Sequence, residues 1–188
     1  MELITRLQNI LLSPKTEWQT IKREALTIAQ IYGKYLFFFA ALPSAGYLLG
    51  FLGGPNFVGG LRLAIISYVI WLLTFNFSAA IIERLAPAFA STSNANYAFK
   101  LVSFSVLPML AAGVLMFIPN LGLILSVIGL AYSAYVCYIG LPIMLQTPSE
   151  KLIPFTAAVL VTVLVIYFGL LFVLGVVFGA KFWQFPGA

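Results

Sequence analysis

The chain has 188 residues, of which 62% are apolar and only 8% charged, with a formal net charge of +5. A soluble domain carries about 25% charged residues. Ten Lys/Arg, five Asp/Glu and a mean hydropathy of +1.06 therefore exclude a water-soluble enzyme or a nucleic-acid-binding domain, and point to an all-α polytopic membrane protein.

Half of the basic residues, Arg6, Lys15, Lys22, Arg23 and Lys34, fall in the first 34 positions. Over residues 2–12, Leu3, Ile4, Leu7, Ile10 and Leu11 share one helical face, with Glu2, Arg6, Gln8 and Asn9 elsewhere. Ser13-Pro14 ends that segment and starts the next, with Ser as N-cap and Pro at the first helical position. Residues 14–31 then carry Trp18, Ile21, Ala25 and Ile28 on one stripe, away from Lys15, Lys22 and Arg23. Short amphipathic helices with basic flanks suit the inner leaflet. Residues 1–34 accordingly read as a cytosolic amphipathic segment, either a lid over the spans or a partner-binding face. Pro14, Glu17 and Trp18 are its candidate surface or partner anchor. No uninterrupted apolar run resembling a signal peptide occurs there, which predicts a retained N-terminus.

Beyond this segment, positions 35–61, 63–82, 101–149 and 152–180 hold no charge at all. A spanning helix needs about 20 mostly apolar residues, so three of these intervals hold one span each. The longest fits two, parted at Pro119-Asn120 before Gly122. Residues 35–188 thus form a five-helix membrane domain with spans near 35–52, 61–82, 101–117, 121–145 and 153–180. Runs such as Leu110–Ile118 and Ala157–Phe168 lack the alternation of β-barrel strands.

The first span contains Leu42-Pro43, then Gly46 and Gly50; a similar pair, Gly175 and Gly179, ends the fifth. Small residues four apart permit close helix contact, here within one chain or across a homodimer. The second span carries Asn76, the most polar side chain deep in any span, and ends at Glu83-Arg84, which reads as a snorkelling pair or a polar site. Loop 85–100 is polar and flexible by composition. Phe104–Pro108 faintly echoes Phe39–Pro43, too briefly to mark a duplication. The fourth span sets Tyr132, Tyr135 and Tyr138 on one broad face before Gly140-Leu-Pro142, and Lys181–Phe185 forms an aromatic and basic belt at the far interface.

Chemistry is sparsely provided for. The chain has no histidine and one cysteine, Cys137, inside the fourth span. These residues give no catalytic constellation, no metal site and no cofactor site. Pro43, Pro108 and Pro142 each free a backbone carbonyl in lipid, where the unpaired group costs several kcal/mol. Ser44, Ser105, Ser133, Asn76 and the tyrosines are the expected donors. Kinks of this kind either shape a compact bundle or open a polar vestibule. In the second case Glu83, Tyr138, Asn76 and Pro142 form the candidate site for a small polar ligand or a partner's side chain.

Asn9–Pro14, Glu17-Trp18, then Tyr138–Pro142 and Pro148 with Lys151 resemble the bacterial branch of the Yip (Ypt-interacting protein) family over nearly the whole chain. The resemblance implies a five-helix integral membrane domain with a cytosolic N-terminus, in a bacterial cytoplasmic (inner) membrane. Eukaryotic members act in vesicle traffic and bind small prenylated GTPases through a cytosolic part much longer than the segment here. The function expected on these grounds is a non-enzymatic membrane scaffold or adaptor. Its partners are the lipid bilayer and a membrane protein or a second copy of itself, with no nucleic acid. A small solute transporter or channel is the alternative, and an intramembrane enzyme fits least.

With the N-terminus inside, Arg6, Lys15, Lys22, Arg23, Lys34, Arg84, Lys100 and Lys151 share the cytoplasmic side, against Arg62 and Lys181 opposite. Reporter fusions after residue 34 and in loop 85–100 should score inside, and one at Ala188 outside. A cytoplasmic score at Ala188 contradicts an odd number of spans.

Overall fold

The protein is described by a computed structural model over residues 3–54, 56–118 and 120–178, and every regular element among them is helical. A hairpin of α1 (Leu3–Leu12) and α2 (Pro14–Arg23) leads to α3 (Ile28–Ile31). That helix runs through a π-helical segment, Tyr32–Leu36, into α4 (Phe37–Gly50). There follow α5 (Phe57–Leu85), α6 (Ala95–Ser105) bending into α7 (Leu107–Gly113), α8 (Leu121–Met144) and α9 (Leu152–Phe178).

Among the described residues, four stretches are long and apolar enough to cross a membrane: Phe57–Phe89, Ala95–Phe117, Leu121–Met144 and Ser149–Val177. They correspond to the second to fifth expected spans, the fourth ending one residue short and residues 179–180 of the fifth lying outside the described residues. The first is not among them. Its helical path, residues 28–50, carries Lys34, Tyr32, Tyr35, Ser44 and Tyr47, which lower its hydropathy.

α5 packs on α4, α6 and α9, while α8 packs on α6, α7, α9 and α2. The N-terminal hairpin belongs to the same core: Ile10, Trp18 and Ile21 cluster with Phe75, Phe104, Val136 and Phe155. Residues 14–31 do not form the single helix expected of them. α2 ends at Arg23, Ala25 is exposed, and a capping box between Thr27 and Gln30 starts the next helix.

α4 and α7 meet at glycine. A Cβ on Gly46 would collide with the Gly113 carbonyl oxygen, and one on Gly113 would lie 2.8 Å from Pro43 Cβ. Gly50 faces Phe117, so this pair packs within the chain. Gly179, the Lys181–Phe185 belt and Pro119 lie outside the described residues.

The break between α6 and α7 falls at Val106, where Pro108 cannot donate and its ring crowds the preceding turn. Ser133 answers the break in the sense opposite to that expected: its Oγ accepts from the Met109 N–H at 3.3 Å. Ser44 donates to Ala40 in its own helix. Tyr32 and Tyr132 donate to the carbonyls of Leu72 and Leu11, neither of them beside a proline.

The loop after α5 is tightly laced rather than loose. The Thr92 N–H donates to the Leu145 carbonyl at 2.8 Å, and Ser91 Oγ meets Thr147 Oγ1 at 2.8 Å. Asn94 caps α6 by accepting from the Tyr97 N–H. Phe89 stacks on Phe155 with ring centroids 4.4 Å apart, tying the loop to α9.

On the far side, Ile153, Val161, Val165, Phe168 and Phe172 of α9 are exposed, a continuous apolar face of the kind that lipid covers. The α4–α7 contact can be tested against this face. Gly113→Leu must displace backbone and should lower stability by about 1–3 kcal/mol or more. Gly169→Leu, whose Cβ meets nothing within 4 Å, should leave the melting temperature unchanged. Equal effects of the two would refute the close approach.

Candidate functional site

The residues singled out in the sequence fall into two groups. Asn76 lies on an exposed face of α5, bonded to Tyr32 Oη and to the Leu72 carbonyl at 3.0 Å. Glu83 is partly exposed near the end of α5, where its carbonyl accepts from Ser93. Tyr138 is 41% exposed on α8 and Pro142 is exposed. No hydrogen bond or ring contact described joins Glu83 or Asn76 to Tyr138, and α6 and α9 pack against both of the helices that carry them. Tyr138 and Pro142 lie one turn apart on α8, and no described contact joins them to Asn76 or Glu83 on α5.

Pro14, Glu17 and Trp18 are brought together, and inward. All three are buried in α2. Trp18 is fully enclosed, and its Nε1–H donates to the Val136 carbonyl on α8 at 2.9 Å. Beside it lies Gly140, where a Cβ would sit 2.6 Å from Trp18 Cε2. Any side chain at this position would push the indole out. The Glu-Trp pair of the hairpin and the Gly-Leu-Pro turn of α8 are thus two halves of one junction. An anchor expected in a leaflet or a partner is enclosed by the chain's own helices.

The larger surprise is Arg6, assigned by periodicity away from the apolar face of α1. It is fully buried with Ile10, while Ile4 is 67% exposed. The docked face runs through Leu3, Arg6, Leu7 and Ile10, a spacing of three and four that places the guanidinium in the middle of the apolar stripe.

Its nitrogens meet Glu17 of α2, Glu24 just after α2, and Tyr35 Oη of the π-helical segment at 3.1 Å. Asn9 Nδ2 donates to the second Glu17 oxygen at 2.9 Å. The guanidinium carbon lies 5.1 Å from the Tyr35 ring and 5.7 Å from that of Phe104, which also meets Trp18 edge-on. Burial works to lower the Arg6 pKa. The bonds and charges of Tyr35 and Glu24 outweigh it, and the group stays above its ordinary value and charged.

Lys100 completes the arrangement. Counted from sequence as a boundary charge, it is buried within α6, because the helix begins at Ala95 rather than near 101. Its ammonium donates to the Ile21 carbonyl at 3.1 Å and the Glu24 carbonyl at 2.6 Å. These acceptors belong to the last turn of α2, where carbonyls lack helical partners and a cation is favoured. Two cations, Arg6 and Lys100, therefore balance two carboxylates, Glu17 and Glu24. The cluster is a clamp with no net charge, in which Arg6 Nε is left without a hydrogen-bond partner.

The Yip1 domain matches residues 9–178. The chain belongs to the Yip1 family. No curated protein and no solved structure matches it. In this family member the matched region takes in α2, the junction of Trp18 with Gly140, and all four long apolar helices.

Residue type alone sets Arg6 off the apolar stripe of α1. The Leu3-Arg6-Leu7-Ile10 spacing is the signal that locates it. For Lys100 the signal is Asn94, an N-cap that starts the helix earlier. Removing one partner of a buried pair costs roughly 3–5 kcal/mol, since it strands the other charge. Arg6→Met should therefore undock the hairpin, seen as faster tryptic cleavage at Lys15 and Lys22. Adding Glu17→Gln should restore part of the protection, a coupling of at least about 1 kcal/mol. Additive losses would show that the two groups act separately.

Proposed function

We propose that the chain is a non-enzymatic scaffold or adaptor of the bacterial inner membrane. In this reading it has five spans, the first near residues 35–52 ahead of the four long apolar helices, with the N-terminus in the cytoplasm and the C-terminus outside. The observation that carries the proposal is the docked hairpin itself. Its inner face is closed by Arg6, Glu17 and Trp18, while Gln8, Lys15, Thr16, Gln19 and Arg23 are exposed on its outer face. A surface of polar side chains with exposed Ile4 and Leu12, held against membrane helices, suits a protein partner or a second copy of the chain. Pro14, Glu17 and Trp18 serve this surface from behind, as its fastening. Glu83 and Tyr138 remain candidates for separate peripheral contacts.

Transport has less support. Buried Arg6 is paired with Glu17 and Glu24, buried Lys100 is bonded to backbone carbonyls, and Asn76 and Tyr138 lie on exposed faces of their helices.

The test is photo-crosslinking in native membranes from Gln8, Thr16 and Gln19, with Val165 on the lipid face as control. The proposal expects one discrete protein adduct from the hairpin positions, lost when Gln19→Asp and Arg23→Glu are combined, and none from Val165. Lipid adducts alone at every position would overturn it.

A further inference from the structure

Where α2 ends, the chain turns through residues 24–27 and leaves a cavity of about 490 Å³ against the start of α6. Lys22, Arg23 and Lys100 line it, with Asn94, Asn96 and one acid, Glu24. We propose that this cavity binds a phosphate group, presented by an anionic phospholipid headgroup or by a soluble phosphate.

Charge is the first argument. The Glu24 carboxylate, the one acid of the lining, is already paired with Arg6, so it offsets the three cations of the cavity only in part. Among the described residues neither Lys22 nor Arg23 forms an ion pair. Lys100 is buried and donates to two neutral carbonyls. As an ammonium with three donors, it has one N–H to spare. Three cations thus converge on a space that no free carboxylate shares.

Donor geometry is the second. Asn96 already gives Nδ2 to the Leu26 carbonyl, which fixes its amide at the wall. Asn94 is held by its Oδ1, which accepts from Tyr97 N–H and leaves its amide N–H₂ uncommitted. Phosphate oxygens are acceptors only, and a wall of ammonium, guanidinium and amide donors matches them.

Position favours the lipid source. The cavity opens at the end of the bundle where α6 begins and the loop after α5 is laced to the end of α8. Headgroups of the adjacent leaflet lie at that depth, and basic pockets between helix ends take anionic headgroups. The volume also exceeds that of a lone phosphate.

The experiment uses the full chain in neutral phosphatidylcholine nanodiscs or detergent. The reading is the melting temperature and, by native mass spectrometry, lipid retention. Phosphatidylglycerol should be retained at one per chain and stabilise more than phosphatidylcholine of equal chain length. Inorganic phosphate alone should stabilise weakly; equal stabilisation by phosphate would assign the site to the soluble source. Lys22→Gln combined with Arg23→Gln should weaken phosphatidylglycerol about 30-fold at about 1 kcal/mol per cation. It should leave phosphatidylcholine retention and the melting temperature in neutral lipid unchanged, since neither side chain is in an ion pair. Lys15→Gln, outside the cavity lining, should change nothing. An unaltered preference in the double variant, or no preference in the native chain, overturns the proposal.

Discussion

A guanidinium taken out of water has to be matched in charge and in hydrogen bonds, or the segment carrying it will not stay folded. Arg6 is such a group, fully buried on a ten-residue helix too short to be stable alone. Its partners come from three places: Glu17 on α2, Glu24 after it, and Tyr35 in the π-helical segment. The constraint fixes the fold of α1 on α2, the turn after α2, and the face that the next helix presents. A π-helical segment shifts the facing of residues along a helix. Here it is the segment that carries both Tyr32, bonded to Asn76, and Tyr35, bonded to Arg6.

Apolar packing then uses what the clamp has positioned. Phe104 touches the guanidinium on one side and Trp18 on the other, and Trp18 reaches α8 only because Gly140 leaves room. The hairpin is thus continuous with the membrane core and not an appendage of it. Its clamp has no net charge and no unspent acid, which suits a structural junction better than a proton path. The polar groups left over face outward, toward water, headgroups or a partner.

Much of this was legible in the residues, and the gaps have physical causes. Charge-free intervals locate the four long apolar helices because lipid tolerates few charges, and two of their ends, Phe117 and Met144, fall at the expected breaks. The first span was harder, since its tyrosines and Lys34 serve contacts inside the bundle and dilute its hydropathy. Ser13-Pro14 marked the hairpin correctly. The inner-leaflet placement of Trp18 rested on amphipathicity, which cannot distinguish a lipid surface from a protein one. Arg6 and Lys100 were read by type, as surface and boundary charges, although their spacing put both inside. A vestibule of Glu83 and Tyr138 requires α5 and α8 to face each other, and packing order is not written in hydropathy.

The central claim is that residues 3–23 are fastened within the membrane domain and do not ride on its surface. Hydrogen exchange of the native chain in lipid nanodiscs measures this directly. The clamp predicts that the amides of α1 and α2 exchange as slowly as those of α6, and together as one cooperative unit. Exchange of α1 and α2 at the rate of a free amphipathic peptide, with α6 still protected, would contradict it.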